Sequence, residues 1–359
     1  MRADTNTLDK DYFQKSLHSP KENLMGWMCT YTPVELIHAA GFTPYRIYGL
    51  QQFNNADGYL PINFCPYLKS SFEQLLKEKD TLKGMIFANS CDGSRRLMDI
   101  TTVYLEQMPS YIMDVPRLVS KLSLDFYSLS LKKLLFFLEN LKGEKISEKS
   151  ILESVNLFKK IKKSLQSLKN AYLDGQISLI DYYRVVKLST ISEPSAYENE
   201  IKKFLEILPS LKKLPPNGTS LMVVGNFINE ERLLKILSGL DCHIIFDDLC
   251  TTHRYFAKNT TYNEKDIMHG LAESYLTSTA CMRMADMSAK LEHIKKIIGK
   301  KKAEAIIFVS LKFCDNTLYF YPLLKKRLEV PILNLELEYN NFSEGQVKTR
   351  LEAFLEMLC

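Results

Sequence analysis

No stretch of this chain approaches the ~18 uninterrupted apolar residues that a membrane span needs. The longest apolar runs, such as Ala305 to Val309, are only strand-sized, so no membrane association is expected. The eight cysteines include no Cys-x-x-Cys pair, the closest being Cys242 and Cys250, which excludes zinc ribbons, thioredoxin-like sites and the ferredoxin ligand run. No G-x-x-x-x-G-K-[ST] loop is present, and Gly225-Asn226 is too little for a dinucleotide fingerprint. Any nucleotide-driven step therefore belongs to another chain. Neither charge sign prevails: 47 Lys and Arg face 42 Asp and Glu, an excess too thinly spread for a nucleic-acid partner. The basic runs Lys159 to Lys163 and Lys295 to Lys302 have no interleaved aromatics and read as solvated helix faces. With 14 Gly and 13 Pro and 46% apolar residues, disorder and collagen-like repeats are also excluded. The opening residues lack an apolar core followed by a small-residue cleavage site, and a cytoplasmic location is expected.

Length predicts roughly two to three domains, and composition divides the chain in three. Residues 1–116 alternate helix signals with short apolar runs. Thr32-Pro33-Val34-Glu35 reads as a capping box closed by Gly41, Gly84 to Asn89 as a buried strand, and Asp92 as the cap of a helix. Residues 117–213 carry Leu, Lys, Ser and Glu at helical periodicity with no strand, and are expected to be a helical insertion serving as scaffold or partner surface. From 214 to 359 strands and helices alternate. Strands are expected at 220–225, 243–246, 305–309 and 331–335, helices at 230–237, 266–277, 287–298 and 322–328, and Ser343 caps a terminal helix. The expected fold is α/β, with two Rossmann-like parallel-sheet domains and a helical insertion.

In a reducing compartment a disulfide framework is not expected, so the cysteines are buried thiols, nucleophiles or metal ligands. Cys91, Cys250 and Cys314 each follow a predicted strand, at the carboxyl edge of a parallel sheet where open α/β folds gather ligands. Cys29 and Cys65 stand before helix starts, where the helix dipole is expected to lower a thiol's pKa. Cys281 lies between two helices. Cys242 and Cys359 read as structural, as do His38 and His243. Thiols gathered at a sheet edge are compatible with an iron–sulfur cluster and equally with unrelated core cysteines.

The motifs carry more. Gly26 to Cys29 with Pro33, Glu35 and Ala39-Ala40-Gly41 resembles the opening motif of the 2-hydroxyacyl-CoA dehydratase family, which also holds benzoyl-CoA reductase subunits and double-cubane cluster proteins. Cys65-Pro66 with Lys69-Ser70, Asn89 to Asp92, Asp247-Asp248 with Cys250-Thr251 and Arg254, and Lys312 to Asp315 are similar to further family motifs. Gly345-Gln346, Thr349-Arg350, Ala353-Phe354 and Glu356 resemble the closing one.

The resemblance implies an oxygen-sensitive iron–sulfur reductase or dehydratase component in a dimer, with the cluster held between the two sheet domains. The favoured form is a double-cubane 8Fe–9S cluster held by Cys29, Cys65, Cys91, Cys250, Cys281 and Cys314. The chain would then be a low-potential reductase, reduced by a separate ATP-hydrolysing iron–sulfur activator and passing electrons to a small substrate. The alternative is a dehydratase or benzoyl-CoA reductase subunit with one 4Fe–4S cluster on Cys65, Cys91 and Cys314, acting on an acyl-CoA through a ketyl radical. Cys29 and Glu35 would then be catalytic residues contacting substrate. The resemblance implies a homodimer or a heterodimer with a paralogous subunit. Thr252 stands where the family usually has glycine, and the wording around Cys314 looks more like the CoA-processing branches.

Overall fold

The computed structural model describes residues 22–51, 55–211, 213, 217–226, 231–257, 266–278, 280–339 and 342–358. The first part builds β1 (Leu24–Trp27), α1 (Val34–Ala39), β2 (Thr43–Arg46), α2 (Pro66–Glu78), β3 (Leu82–Ala88), α3 (Asp92–Tyr104) and β4 (Ser110–Met113). Four long helices follow: α4 (Lys121–Lys142), α5 (Glu148–Leu173), α6 (Leu179–Leu188) and α7 (Pro194–Ile207). The last part comprises β5 (Thr219–Gly225), α8 (Glu231–Ser238), β6 (Cys242–Asp248), α9 (His253–Phe256), α10 (Ile267–Leu276) and α11 (Met287–Lys301). It continues with β7 (Ala305–Leu311), α12 (Asp315–Leu318), α13 (Phe320–Arg327), β8 (Ile332–Leu337) and α14 (Glu344–Glu356).

The strands form two four-stranded sheets, ordered β2-β1-β3-β4 and β6-β5-β7-β8, with every pairing parallel. This is the expected α/β class with two Rossmann-like sheets. Each order reverses once, between β1 and β3 and between β5 and β7, which is where such sheets open a crevice beyond their carboxyl ends.

Strand alternation decides which face each side chain takes. Met25 and Trp27 of β1, and Ile86 and Ala88 of β3, enter one large core, whereas Leu24, Met85 and Phe87 face a smaller one. In the second sheet Leu221 and Val223 join the same large core, and Met222 and Val224 face a third. The two sheets thus share one core. Gly225 is required at the end of β5, because a Cβ there would lie 2.4 Å from the Val309 carbonyl oxygen.

The helical segment fills that shared core. Leu131, Leu134 and Leu138 of α4 and Val155, Phe158 and Leu165 of α5 are fully buried in it, with α4 packed on α10 and α5 on α1 and α7. Its outer face is where apolar side chains are left in solvent: Leu122, Phe126, Leu129 and Phe136, at helical spacing on α4, are each more than half exposed. Lys162 departs from the solvated reading of its basic run. It is 4% exposed and ion-paired inside.

The three short strands β1, β2 and β4 escape sequence reading, since four residues with mixed polarity carry little periodic signal. The capping box at Thr32 does not form. The helix begins at Val34 after Pro33, the Thr32 hydroxyl has no hydrogen-bond partner, and Glu35 is drawn away to Lys162 and Tyr275. The predicted turn at Pro215-Pro216 lies outside the described residues, as do the expected helix start at Glu230 and residue Thr279. Among the described residues no helix is long and apolar enough to cross a membrane.

Candidate functional site

Six of the eight cysteines line one cavity of about 130 Å³. Cys29 follows β1 and Cys91 follows β3, at the first order reversal; Asn226 follows β5 and Cys314 follows β7, at the second. Cys250 leaves β6, Cys65 opens α2, and Cys281 sits between α10 and α11. The carboxyl edges of the two sheets therefore face one space. Cys242 is elsewhere, with its thiol 3.6 Å from the Leu237 carbonyl oxygen. Cys359 lies outside the described residues. No three Cys, His, Asp or Glu side chains among the described residues converge as a single metal ion would require. The six thiols line the cavity from both sheets, a soft donor set of the kind that holds iron–sulfur clusters.

Cysteines occupy three helix N-cap positions, and one of them, Cys91, caps with its side chain. Cys91 is the N-cap of α3, its sulfur accepting the Ser94 N–H at 3.3 Å, while Asp92, expected to cap, is the first helical residue. Asp92 instead lies 3.9 Å from Arg96, with both side chains exposed. Cys65 precedes Pro66 as N-cap of α2, and Cys314 precedes Asp315 at α12. The Cys314 sulfur accepts the Asn226 amide at 2.7 Å and lies 3.3 Å from the Thr317 hydroxyl.

The expected lowering of the Cys65 pKa at its helix start fails, because desolvation outweighs the backbone hydrogen bonds offered there. Burial pushes Cys91 up to about 11 against the Ser94 hydrogen bond. Burial and the neighbouring Cys314 raise Cys65, and burial raises Cys314 itself.

Cys250 and Cys281 behave differently because they share a proton. Their mutual hydrogen bond raises Cys250 and lowers Cys281 well below the ordinary thiol value. The guanidinium of Arg254, buried to 3% exposure, supplies the compensating charge; its Nη2 donates to the Cys250 sulfur at 3.2 Å and to the Gly225 carbonyl. Behind it lies Asp248, paired with Arg254 at 3.6 Å and with buried Lys290. Burial alone would raise Asp248, but Lys290 and Arg254 hold it below the ordinary carboxylate range. Two cations and one anion leave this buried group one positive charge in excess. Arg46, whose Nη1 donates to the Cys250 carbonyl at 2.9 Å, and Arg283 line the cavity, and among the described residues no carboxylate does. A thiol-lined space flanked by arginines fits an anionic, thiolate-bound group.

Glu35 does not line the cavity. It is fully buried, accepting from Lys162 at 2.7 Å and from the Tyr275 hydroxyl at 2.6 Å. Burial opposes its charge, and Lys162 more than compensates, holding it below the ordinary value. Thr252 needs no glycine backbone, since its φ is −131° and its hydroxyl donates to Asp247. Asn226, Arg46 and Arg283 escape sequence reasoning. A polar residue directly after the buried strand β5 is the one available signal, and it marks Asn226.

The chain belongs to the 2-hydroxyglutaryl-CoA dehydratase D-component family, which it matches over residues 29–358. It is 26% identical to the beta chain of the (R)-phenyllactyl-CoA dehydratase of Clostridium sporogenes, over 97% of this chain and 95% of that one. It is 24% identical to the beta chain of the (R)-2-hydroxyglutaryl-CoA dehydratase of Acidaminococcus fermentans, covering 96% and 98%. To one of the subunits of the benzoyl-CoA reductase of Thauera aromatica it is 23% identical, covering 94% and 92%.

Proposed function

We propose that this chain is the iron–sulfur subunit of a low-potential reductase or dehydratase, with residues 1–116, 117–213 and 214–359 as its three parts. The observation that carries the reading is the convergence of six cysteines from both sheets on one cavity. Cys29, Cys65, Cys91, Cys250, Cys281 and Cys314 would hold a double-cubane 8Fe–9S cluster, which when bound supplies one-electron reduction at low potential. Around it, this chain's residues have separate tasks. Asn226, Thr317 and the Ser94 N–H donate toward ligand sulfurs. Arg254 and Arg283 offset negative charge. Met28, Leu68 and Leu311 exclude water.

The names of the relatives favour a second reading, a subunit that acts with a partner on an acyl-CoA; in it one 4Fe–4S cluster would be held by Cys65, Cys91 and Cys314. A separate ATP-hydrolysing activator would supply the electron, in the cytoplasm and without oxygen. Cys29 then remains free to meet substrate, while Glu35 acts from behind, fixing α1 to α5. The partner, a second copy or a paralogue, would cover the exposed apolar stripe of α4.

Iron and acid-labile sulfide per chain, measured on protein purified without oxygen, separate the two. Close to eight irons and nine sulfides are expected. Close to four selects the second reading, and none in protein never exposed to air would falsify both.

A further inference from the structure

Behind the cysteine-lined space lies a buried ionic chain whose far members the proposed function leaves unused. Lys290 of α11 is 1% exposed, Asp248 at the end of β6 is fully buried, and Arg254 of α9 is 3% exposed. Lys290 donates to Asp248 Oδ2, Asp248 Oδ1 faces Arg254 Nε at 3.6 Å, and Arg254 Nη2 donates to the Cys250 sulfur at 3.2 Å. The chain thus ends on a cavity thiol, although neither Lys290 nor Asp248 lines the cavity. Two more contacts fix its inner end. Arg254 also donates to the Gly225 carbonyl, at the close of β5, and Arg46 holds the Cys250 carbonyl at 2.9 Å.

Stability does not account for this arrangement. A buried ion pair contributes little net stability, and one cation would suffice to balance Asp248, yet two are buried against it. Arg254 Nε and Nη1 and Asp248 Oδ1 are buried without a hydrogen bond within the chain, and each such atom is destabilising. Groups kept at this disadvantage point to a task for their charge. The contrast with other thiols indicates which task. The Cys91 sulfur accepts a backbone N–H from Ser94, and the Cys314 sulfur accepts the Asn226 amide. Those donors are neutral, whereas the Cys250 sulfur meets a full positive charge, and a charged donor beside a ligand sulfur is a lever on reduction potential.

We propose that Lys290 and Asp248 are positioning residues which, acting through Arg254 on the Cys250 sulfur, set the reduction potential of the group that the thiols hold. The inference deepens the proposed function and rests on the reading in which Cys250 is a ligand. Reduction adds one electron from an external one-electron donor; no bond forms or breaks, and one negative charge arrives. A nearby cation lowers the free energy of that charge and an anion raises it, and burial leaves both effects little screened. Lys290 and Asp248 therefore act with opposite signs.

Potentiometric titration of oxygen-free protein with titanium(III) citrate, followed by electron paramagnetic resonance, tests this. Lys290→Met is expected to reduce about tenfold less readily than the parent, a potential ~59 mV lower for a one-electron couple, and Asp248→Asn to move upward by a similar amount. Lys290→Arg keeps the charge and should keep the parent's potential. A disturbance of packing alone would move Lys290→Met and Asp248→Asn the same way, or move Lys290→Arg as far as Lys290→Met. Either result, or no shift in the two charge variants, overturns the proposal. Should a single substitution strand a charge and unfold the chain, the triple variant Asp248→Leu, Arg254→Met and Lys290→Met strands none. It too should reduce about tenfold less readily, and a parental potential in it overturns the proposal. Iron measured on the same samples separates this inference from the reading beneath it. Close to eight irons with unshifted potentials removes the inference alone, whereas close to four or none in the parent removes the ligand role of Cys250 and the inference with it.

Discussion

Glu35 shows how a single side chain is reassigned by its surroundings. In sequence it sits where a capping glutamate belongs, yet a capping role would leave Lys162 buried without its carboxylate. The fold resolves this by pairing them, at 2.7 Å with neither side chain more than 5% exposed. Removing one partner strands the other, so Lys162→Met is expected to cost about 3–5 kcal/mol. The double substitution Glu35→Gln with Lys162→Met should recover much of that loss in urea denaturation. A single variant as stable as the parent would show that the pair contributes nothing. The same logic applies to Asp248, Arg254 and Lys290, whose excess positive charge calls for a thiolate at Cys250 or Cys281.

Helices in this chain begin on residues that also line the site. Cys91 ends the turn after β3 and caps α3, so one atom serves both fold and cavity. The two roles separate by substitution. In iron-free protein Cys91→Ser should keep the native melting transition because a hydroxyl still accepts the Ser94 N–H, whereas Cys91→Ala should lose about 1 kcal/mol. Both should purify with less iron if the sulfur is a ligand. Full iron in both would remove Cys91 from the proposed set. The strands most readily seen in sequence, β3, β5, β6 and β7, are the seven-residue ones, and three of them lead directly to a cavity cysteine. The four-residue strands β1, β2 and β4 were not legible, because their pairing partners rather than their own pattern make them strands.

Across the whole molecule, the two sheets are tied together by a few long polar contacts. Arg283 donates to the Val115 and Pro116 carbonyls at 2.8 Å each, and Tyr339 donates to the Tyr48 carbonyl. Arg283→Met would leave these carbonyls unsatisfied and is expected to cost about 3 kcal/mol or more in chemical denaturation. A smaller change would mean that the shared apolar core alone holds the halves. Stability should also fall in mild acid. Burial first of all holds His38, His243, His253 and His293 below their ordinary value of 6.5. The unfolded chain takes up protons near that pH and the native chain does not, so the stabilisation is full above pH 6.5 and is lost as pH drops below it. Glu35 and Asp248, also held low, add a further loss of the same sign in stronger acid. A melting temperature at pH 5.5 equal to or above that at pH 7.5 would contradict this.

The sequence alone determined the α/β class, the long helices and the spacing of cysteines after strands, because these depend on local periodicity and on residue type. Its motifs also sufficed to indicate the family. Tertiary structure decided what local pattern cannot encode. It brought the two carboxyl edges to one cavity, raised thiols that helix starts alone would have lowered, and buried Lys162 within an apparently solvated basic run. It also placed Asn226, Arg46 and Arg283 beside cysteines distant from them in sequence. Burial and charge pairing depend on what lies across the core from a residue, and that neighbour is fixed only when the two sheets share it.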